Sequence, residues 1–205
     1  GIVLLYGGTI ENNNVFGNTN AGITVQFASA TIMGNTITSN VVGIKVDANA
    51  TVRNNTITDS QVGIKVTDHA ASATIERNLL SNNNVGLQIS SQAIIQNNTI
   101  IDTNTAITLA NDPSVTVRYN NIEGYTQYSI CLENSSSNFD VANNWWGTVD
   151  TQAINISIRD YKYDFGLGKV TFIPFLTESN HEATSHPIPE FPSWLLVPLF
   201  LVTTF

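Results

Sequence analysis

The sequence predicts an all-β protein in which short strands stack into a solenoid, and three observations support this prediction. Charged residues are only 12% of the 205-residue chain, while Asn, Thr and Ser supply the polar bulk and Val and Ile much of the apolar part, which favours strands over helices. Two short patterns of alternating apolar residues recur along residues 1–146. No segment of that region sustains the 3.6-residue period of an amphipathic helix.

The first pattern is an apolar residue, then Asn three positions later, then an apolar residue two positions after the Asn. Its copies are Ile10/Asn13/Val15, Ile32/Asn35/Ile37, Val52/Asn55/Ile57, Ile75/Asn78/Leu80, Ile95/Asn98/Ile100, Val117/Asn120/Ile122 and Val141/Asn144/Trp146. Asn tolerates left-handed backbone geometry, and its amide can bond to the same residue in the next turn at the ~4.8 Å spacing of paired strands. We therefore expect these Asn residues to form a structural ladder.

The second pattern is a small residue followed by two apolar residues in alternation. Its copies begin at Gly1, Gly22, Gly43, Gly63, Gly86, Ala106 and Ser129. We expect the glycines to lie at corners, where a side chain would clash or φ is positive. Successive copies lie 20 to 24 residues apart, which predicts about seven turns.

The repeat length separates three solenoid types. A unit of two or three short strands cannot bury its apolar face alone, but stacked units form a continuous core. A left-handed β-helix needs strict hexapeptide repeats, and a leucine-rich repeat needs L-x-x-L-x-L before its Asn; the sequence has neither. A spacing that varies between 20 and 24 residues suits a right-handed parallel β-helix, whose corners accept insertions. This is the predicted fold of residues 1–146.

The repeats also carry a family resemblance. The segments "GNTITSNVVGIKV" and "NNTITDSQVGIKV" resemble the repeats of NosD-type and pectin-lyase-like β-helix proteins over residues 1–146. Proteins with such repeats include polysaccharide lyases, hydrolases, epimerases, a copper-enzyme accessory protein and surface proteins without known activity. The resemblance therefore implies the fold and leaves the function open.

Residues 147–176 are predicted to cap the open end of the solenoid, because uncovered strand edges promote aggregation. The segment 143–176, which includes this cap, is rich in aromatic residues: Trp145, Trp146, Tyr161, Tyr163, Phe165, Phe172 and Phe175. Within it, "TQAINISIRDYKYDF" fits a short amphipathic helix and "KVTFIPF" a strand. Trp145 and Trp146 also fit a sugar-binding platform, but Trp146 occupies an inward position of the repeat, which favours capping.

The C-terminal residues are predicted to attach the protein to a cell surface. Residues 177–188 read as a polar linker, and residues 189–205 combine a sorting motif, Pro189, Glu190 and Phe191, with a hydrophobic segment too short as given to span a bilayer. This arrangement resembles the PEF-type sorting signal of archaeal surface proteins, although the usual basic cluster is absent. The alternative is a hydrophobic tail docked on the cap.

Five candidate glycosylation sites are compatible with export to the cell surface. N-x-[ST] acceptors at Asn49, Asn54, Asn97, Asn134 and Asn155 fit an extracellular, surface-anchored protein. The hydrophobic C-terminal tail is the only part of the chain that we predict to contact a membrane.

The charge distribution argues against a nucleic-acid partner. The chain has 8 basic and 16 acidic side chains and a net charge of -8, without a basic stripe. Its single Cys131 forms no internal disulfide.

Two groups of outward residues are candidate ligand sites. Lys45 and Lys65 occupy the same outward position in adjacent turns, with Asp47 and Asp68 near the following corner. These four residues form either a solvated charge cluster or a contact for an acidic sugar. We therefore predict a polysaccharide or surface glycan as the partner.

The second group is Asp59, Asn82 and Asp102, which fall on three successive turns, so that their oxygens could converge on Ca²⁺ or on sugar hydroxyls. Corners favour Asp and Asn in any case, because these side chains bond to the local backbone. We therefore expect a structural role for these three residues. The only cofactor that the sequence suggests is Ca²⁺.

The sequence lacks the groups that a β-helix enzyme needs. A lyase requires acidic Ca²⁺ ligands beside an Arg or Lys base, a hydrolase requires clustered carboxylates, and a copper site requires clustered soft or imidazole ligands. Arg53, Arg77 and Arg118 are scattered, and Met33 is the single Met. The leading hypothesis is a non-catalytic surface protein that is glycan-binding, adhesive or structural. The alternative is a carbohydrate-active enzyme whose catalytic turns lie partly outside this fragment.

Overall fold

The computed structural model describes residues 1–70, 72–111 and 114–183, whose regular structure is almost entirely strand. In chain order the elements are β1 (Ile2–Leu4), β2 (Gly8–Glu11), β3 (Asn14–Phe16), β4 (Ala21–Val25), β5 (Ala30–Met33), β6 (Thr36–Thr38), β7 (Val42–Val46), β8 (Ala50–Arg53), β9 (Thr56–Thr58), β10 (Val62–Val66), β11 (Ala73–Glu76), β12 (Leu79–Ser81), β13 (Val85–Ile89), β14 (Ala93–Gln96), β15 (Thr99–Ile101), β16 (Thr105–Leu109), β17 (Thr116–Arg118), β18 (Asn121–Glu123), β19 (Tyr128–Leu132), β20 (Phe139–Asp140), helix α1 (Thr151–Ile156), β21 (Ile158–Arg159), β22 (Val170–Thr171) and a 3-10 turn (His181–Ala183).

Three parallel sheets run along the solenoid. Sheet A contains β1, β4, β7, β10, β13, β16, β19 and β21; sheet B contains β2, β5, β8, β11, β14 and β17; sheet C contains β3, β6, β9, β12, β15 and β18. The chain visits sheets B, C and A in that order in each turn. Equivalent residues stack in register, as Ile44 does on Ile64. The predicted parallel β-helix is thus confirmed.

The core is a column of inward side chains supplied by all three sheets. Within one turn, Ile32, Ile37 and Ile44 are fully buried, and the equivalent positions of the interior turns are buried as well. Fully burying such a side chain stabilises the fold by about 1.5–3 kcal/mol. The period-two patterns of the sequence correspond to this column.

The solenoid has about six complete turns, slightly fewer than the seven repeats predicted. Sheets B and C each end after six strands. In the seventh repeat, β20 pairs with β22 of the C-terminal region, and Trp145 joins Asn121 only through an isolated bridge. The last repeat therefore belongs structurally to the end of the solenoid.

The predicted Asn ladder is present between sheets B and C. Asn55 shows the pattern: its Nδ2 donates to Asn78 Oδ1 at 3.0 Å, and its Oδ1 accepts from Asn35 Nδ2 at 3.0 Å. Asn35, Asn55, Asn78, Asn98, Asn120 and Asn144 are all buried.

The left-handed backbone, however, belongs to the residue before each ladder Asn. These residues are Asn12, Gly34, Asn54, Arg77, Asn97, Tyr119 and Asn143, with φ between 53° and 67°. The left-handed residue turns the chain from sheet B to sheet C, and this turn directs the following Asn side chain inward.

The recurrent glycines lie inside strands of sheet A, where the sequence predicted corners. Gly43, Gly63 and Gly86 are the second residues of β7, β10 and β13, and none has positive φ. The predicted clash is the correct explanation. A Cβ added at Gly63 would lie 2.6 Å from the carbonyl oxygen of Gly86.

The predicted helix is shorter than its amphipathic pattern. Helix α1 begins after Asp150, whose carboxylate accepts from the N–H groups of Gln152 and Ala153, and it ends at Ile156. The chain then extends, because Ile158 and Arg159 pair with β19 and continue sheet A. The predicted strand over residues 169–175 is reduced to Val170–Thr171.

Part of the aromatic cluster covers the end of the core. Trp146 is 1% exposed and contacts Phe172 edge to face, with 6.2 Å between ring centroids. Tyr161, Tyr163 and Phe165 are exposed instead. The inward position predicted for Trp146 is confirmed.

Residues 177–183, which the sequence assigns to a linker, lie against the solenoid; we call this segment the strap. The N–H of Asn180 donates to Asn121 Oδ1 at 2.7 Å, and the Asn121 Nδ2 donates to the Asn180 carbonyl at 3.1 Å. Thr99 Oγ1 donates to the carbonyl of Ala183, and the residue Ala183 is fully buried. This half of the predicted linker is therefore ordered on the solenoid.

Candidate functional site

An open groove of about 860 Å³ lies on the outer face of sheet A, where the strands turn towards sheet B. Its lining includes all four residues of the first predicted group, Lys45, Lys65, Asp47 and Asp68, together with Phe27 and His69. We call this feature the groove.

The two lysines of the groove have different surroundings. Lys45 and Lys65 are register partners on β7 and β10, so their backbones are adjacent. Lys45 Nζ forms an ion pair with Asp47 Oδ2 at 2.7 Å. No ion pair of Lys65 is found within residues 1–70, 72–111 and 114–183. Lys65 therefore supplies a positive charge that the fold does not neutralise.

Asp47 is a structural carboxylate. Besides Lys45, it accepts hydrogen bonds from Thr67 Oγ1 at 2.7 Å and from Gln26 Nε2 at 3.5 Å. Burial raises the pKa of Asp47, but hydrogen bonds from Lys45 and Thr67 outweigh this effect, and the pKa is lowered from its ordinary value of 3.8. Asp47 is thus ionised at neutral pH and links two neighbouring turns.

Acid is expected to remove the contribution of Asp47 to stability. Because its pKa in the folded protein lies below the unfolded value, the ionised carboxylate stabilises the fold above the unfolded pKa, and this contribution is lost as pH falls through the folded pKa. Urea midpoints of the wild type and of Asp47→Asn should therefore differ at neutral pH and converge below about pH 4. A constant difference from neutral pH to acid would contradict this role.

Asp68 and Phe27 complete the groove at its rim. Asp68 Oδ1 lies 3.0 Å from His69 Nδ1, and both side chains are mostly exposed. Phe27 is 81% exposed and has a φ of 65°, which is rare for an aromatic residue. Sequence reasoning missed Phe27, because its corner lies outside both repeat patterns. The detectable signal was one aromatic residue in an otherwise small and polar corner.

The second predicted group does not join the groove. Asp59, Asn82 and Asp102 are exposed, have φ between 53° and 56°, and precede the strands of sheet A, whereas the groove lies where these strands end. Left-handed geometry explains Asp and Asn at these positions. Asp59 and Asp102 are two turns apart, about 10 Å. Among the described residues, no group of three or more His, Cys, Asp or Glu side chains is placed to hold a metal ion.

A second polar ladder between sheets C and A was also missed by sequence reasoning. Asn18 Nδ2 donates to Asn40 Oδ1 at 2.8 Å, the Asn40 N–H donates to Ser60 Oγ at 3.3 Å, and the Ser60 N–H donates to Asn83 Oδ1 at 2.9 Å. The mixture of Asn and Ser hid the repetition. These residues directly follow the left-handed residue at which the chain turns from sheet C to sheet A, and their role is structural.

Cys131 lies on sheet A, in the same outward row as the two lysines. Burial raises the pKa of its thiol, although Arg159 beside it acts in the opposite direction. The thiol is therefore protonated at neutral pH, a state that is a poor nucleophile.

The sorting motif Pro189, Glu190 and Phe191 and the hydrophobic segment after it lie outside the described residues. No helix among the residues that are described combines the length and the apolar character needed to cross a membrane.

Of three comparisons with known proteins, one supports the solenoid architecture. Searches of curated proteins and of solved structures found no match. The family description "Right handed beta helix region" matches residues 1–146, which contain sheets B and C, sheet A except β21, and the groove. On the evidence of this match and of its three-sheet architecture, the chain belongs to the right-handed β-helix family.

Proposed function

We propose that the protein is a non-catalytic, extracellular β-helix that binds an acidic polysaccharide in the groove on sheet A. The observation that carries the proposal is the asymmetry of the two stacked lysines. Asp47 neutralises Lys45 at 2.7 Å, whereas Lys65 lines the same groove without an ion pair among the described residues. An anionic ligand would supply the missing partner.

The groove offers the three kinds of contact that an acidic sugar uses. Lys65 would pair with a sugar carboxylate, and the exposed carboxylate of Asp68 and amide of Asn49 would bond to hydroxyls. The exposed ring of Phe27 would pack against the apolar face of a sugar ring. The chain has a net charge of -8, so the ligand must be held by local contacts and not by the overall field.

The state of Asp47 favours binding over catalysis. A general acid must carry a proton near the working pH, but the pKa of Asp47 is lowered by hydrogen bonds from Lys45 and Thr67. Its oxygens are also engaged by those two side chains. The alternative is a lyase, hydrolase or epimerase, which the resemblance of the repeats to NosD-type and pectin-lyase-like proteins keeps open; it would require catalytic turns that are not among the described residues.

Attachment to a cell surface through residues 189–205 is part of the proposal. It rests on the Pro189-Glu190-Phe191 motif and the apolar segment that follows, and the archaeal sorting pathway is the one whose signals they resemble. Pull-down of the full chain with liposomes, compared with a chain ending at residue 183, tests this part independently of sugar binding.

Replacing Lys65 with Gln should weaken polysaccharide binding. Among the described residues, Lys65 is the one cation of the groove without a carboxylate partner. Because the variant loses one partly exposed ion pair with a sugar carboxylate, its affinity should fall about fivefold. Titration calorimetry with polygalacturonate, and with a neutral glucan for comparison, measures the effect.

Lys169→Gln is the matched control, because Lys169 is exposed and lies outside the groove. It should bind like the wild type. Equal affinities of wild type and Lys65→Gln, or equal binding of charged and neutral polymers, would reject the proposed site. Release of unsaturated or reducing sugars during the titration would instead establish the enzyme.

A further inference from the structure

The strap crosses turns that the chain has already completed. The Leu176 N–H donates to the carbonyl of Asn144 in the seventh repeat, Asn180 bonds to Asn121 in the sixth, and Ala183 bonds to Thr99 in the fifth. The strap therefore runs back from the capped end along the outside of the solenoid, over about 10 Å.

Asn180 forms most of the hydrogen bonds between the strap and the solenoid. Its Nδ2 donates to Asn97 Oδ1 at 3.0 Å and to the carbonyl of Tyr119 at 2.6 Å, while its Oδ1 accepts from the N–H of Glu182 at 3.1 Å. Together with its two backbone bonds to Asn121, every polar group of Asn180 is used. The pair between Arg77 and Glu182, at 3.8 Å and well exposed, adds little.

These contacts differ in kind from the rest of the solenoid. In a repeat protein each unit contacts its neighbours, so a pull on one end normally peels the units one after another. The strap joins residues separated by 59 to 84 positions in the chain. Tension on residues beyond 183 thus reaches the fifth and sixth turns before it reaches the cap.

We propose that the strap is a mechanical clamp: it transfers tension from the downstream chain to the fifth and sixth turns, so that the cap and the last turns do not peel from the end while the strap holds. Its use in the cell rests on the proposed surface attachment, since an attached protein is pulled through its C-terminal segment. The clamp itself is independent of sugar binding and can be measured without it.

Single-molecule force spectroscopy of the full chain, held at both ends, tests the clamp. The wild type should show a first rupture that releases the strap, a gain of at most about 25 Å, followed by larger steps from the cap and the turns. Asn180→Ala removes three side-chain hydrogen bonds, so the opening rate of the strap should rise about tenfold or more and the first rupture force should fall. The later steps should keep their forces.

Hydrogen exchange supplies a second readout. The N–H of Ala183 donates to the Asn180 carbonyl, so its exchange should accelerate in Asn180→Ala while amides of sheet A stay protected. Asn84→Ala, an exposed position away from the strap, should leave both readouts unchanged. If Asn180→Ala fails to fold, Thr99→Val removes the bond to Ala183 and serves instead.

The clamp would be overturned if Asn180→Ala ruptured at the wild-type force, or if the cap of the wild type unravelled before the strap. Unchanged binding of polygalacturonate by Asn180→Ala is expected, since the strap lies on sheet C and the groove on sheet A. If the wild type does not bind polygalacturonate, the proposed ligand is rejected, but the force measurement still tests the clamp.

Discussion

Asn55→Leu is expected to destabilise the protein by about 3–6 kcal/mol, since several buried polar groups lose their partners and each costs about 1–3 kcal/mol. The Asn55 amide accepts from the N–H and the Nδ2 of Asn35, and it donates to the carbonyls of Ile32 and Arg53 and to Asn78 Oδ1. Leu has the same branched shape but is larger, and it satisfies none of these groups.

Urea unfolding followed by circular dichroism measures the effect of Asn55→Leu. The matched control is Asn84→Leu, because the Asn84 side chain is exposed and has no hydrogen bond among the described residues. It should change stability by no more than about 0.5 kcal/mol. Similar midpoints for the two variants would show that the ladder contributes little.

Gly63→Val is expected to destabilise the fold by about 3 kcal/mol, at the upper end of the cost of overpacking a core. A Cβ at Gly63 would lie 2.6 Å from the Gly86 carbonyl oxygen and 2.9 Å from the Leu80 side chain. Leu80 can shift its rotamer, but the carbonyl belongs to the next strand of sheet A and cannot move without disturbing the ladder. The cost therefore comes mainly from the backbone.

Gly166→Ala is the control for this variant, because the nearest atom to an added Cβ is an Asp164 carboxylate oxygen at 3.3 Å and the position is exposed. We expect a near-wild-type midpoint for it. A wild-type midpoint for Gly63→Val as well would mean that sheet A can separate locally to admit a side chain, and the clash would not explain the glycine column.

Both variants act on features that the sequence already identified. The ladder and the glycine column repeat in every turn, and period-two alternation directly reports which side chain points inward. Asn55 was therefore assignable from its spacing alone. The sequence did not reveal the backbone role of each position, because left-handed φ belongs to Asn54 and its equivalents, which vary between Asn, Gly, Arg and Tyr.

The candidate site was only partly predictable. The register of the repeats placed Lys45 on Lys65, but the residue beside Asp47 is Thr67, whose hydroxyl binds the carboxylate at 2.7 Å. Asp68 lies one position further along and faces His69 instead. Corners differ in length from turn to turn, so residues beyond the strands cannot be aligned by counting.

The sequence by itself determined the architecture of residues 1–146: the strands, the inward residues and the Asn ladder follow from local patterns repeated at nearly constant spacing. Only the tertiary structure decided that Phe27 shares a groove with the lysines, that sheet A ends with β21, and that the strap folds back to Asn121 and Thr99. The physical reason is that these contacts join irregular corners or residues up to 84 positions apart, for which no repeating pattern exists.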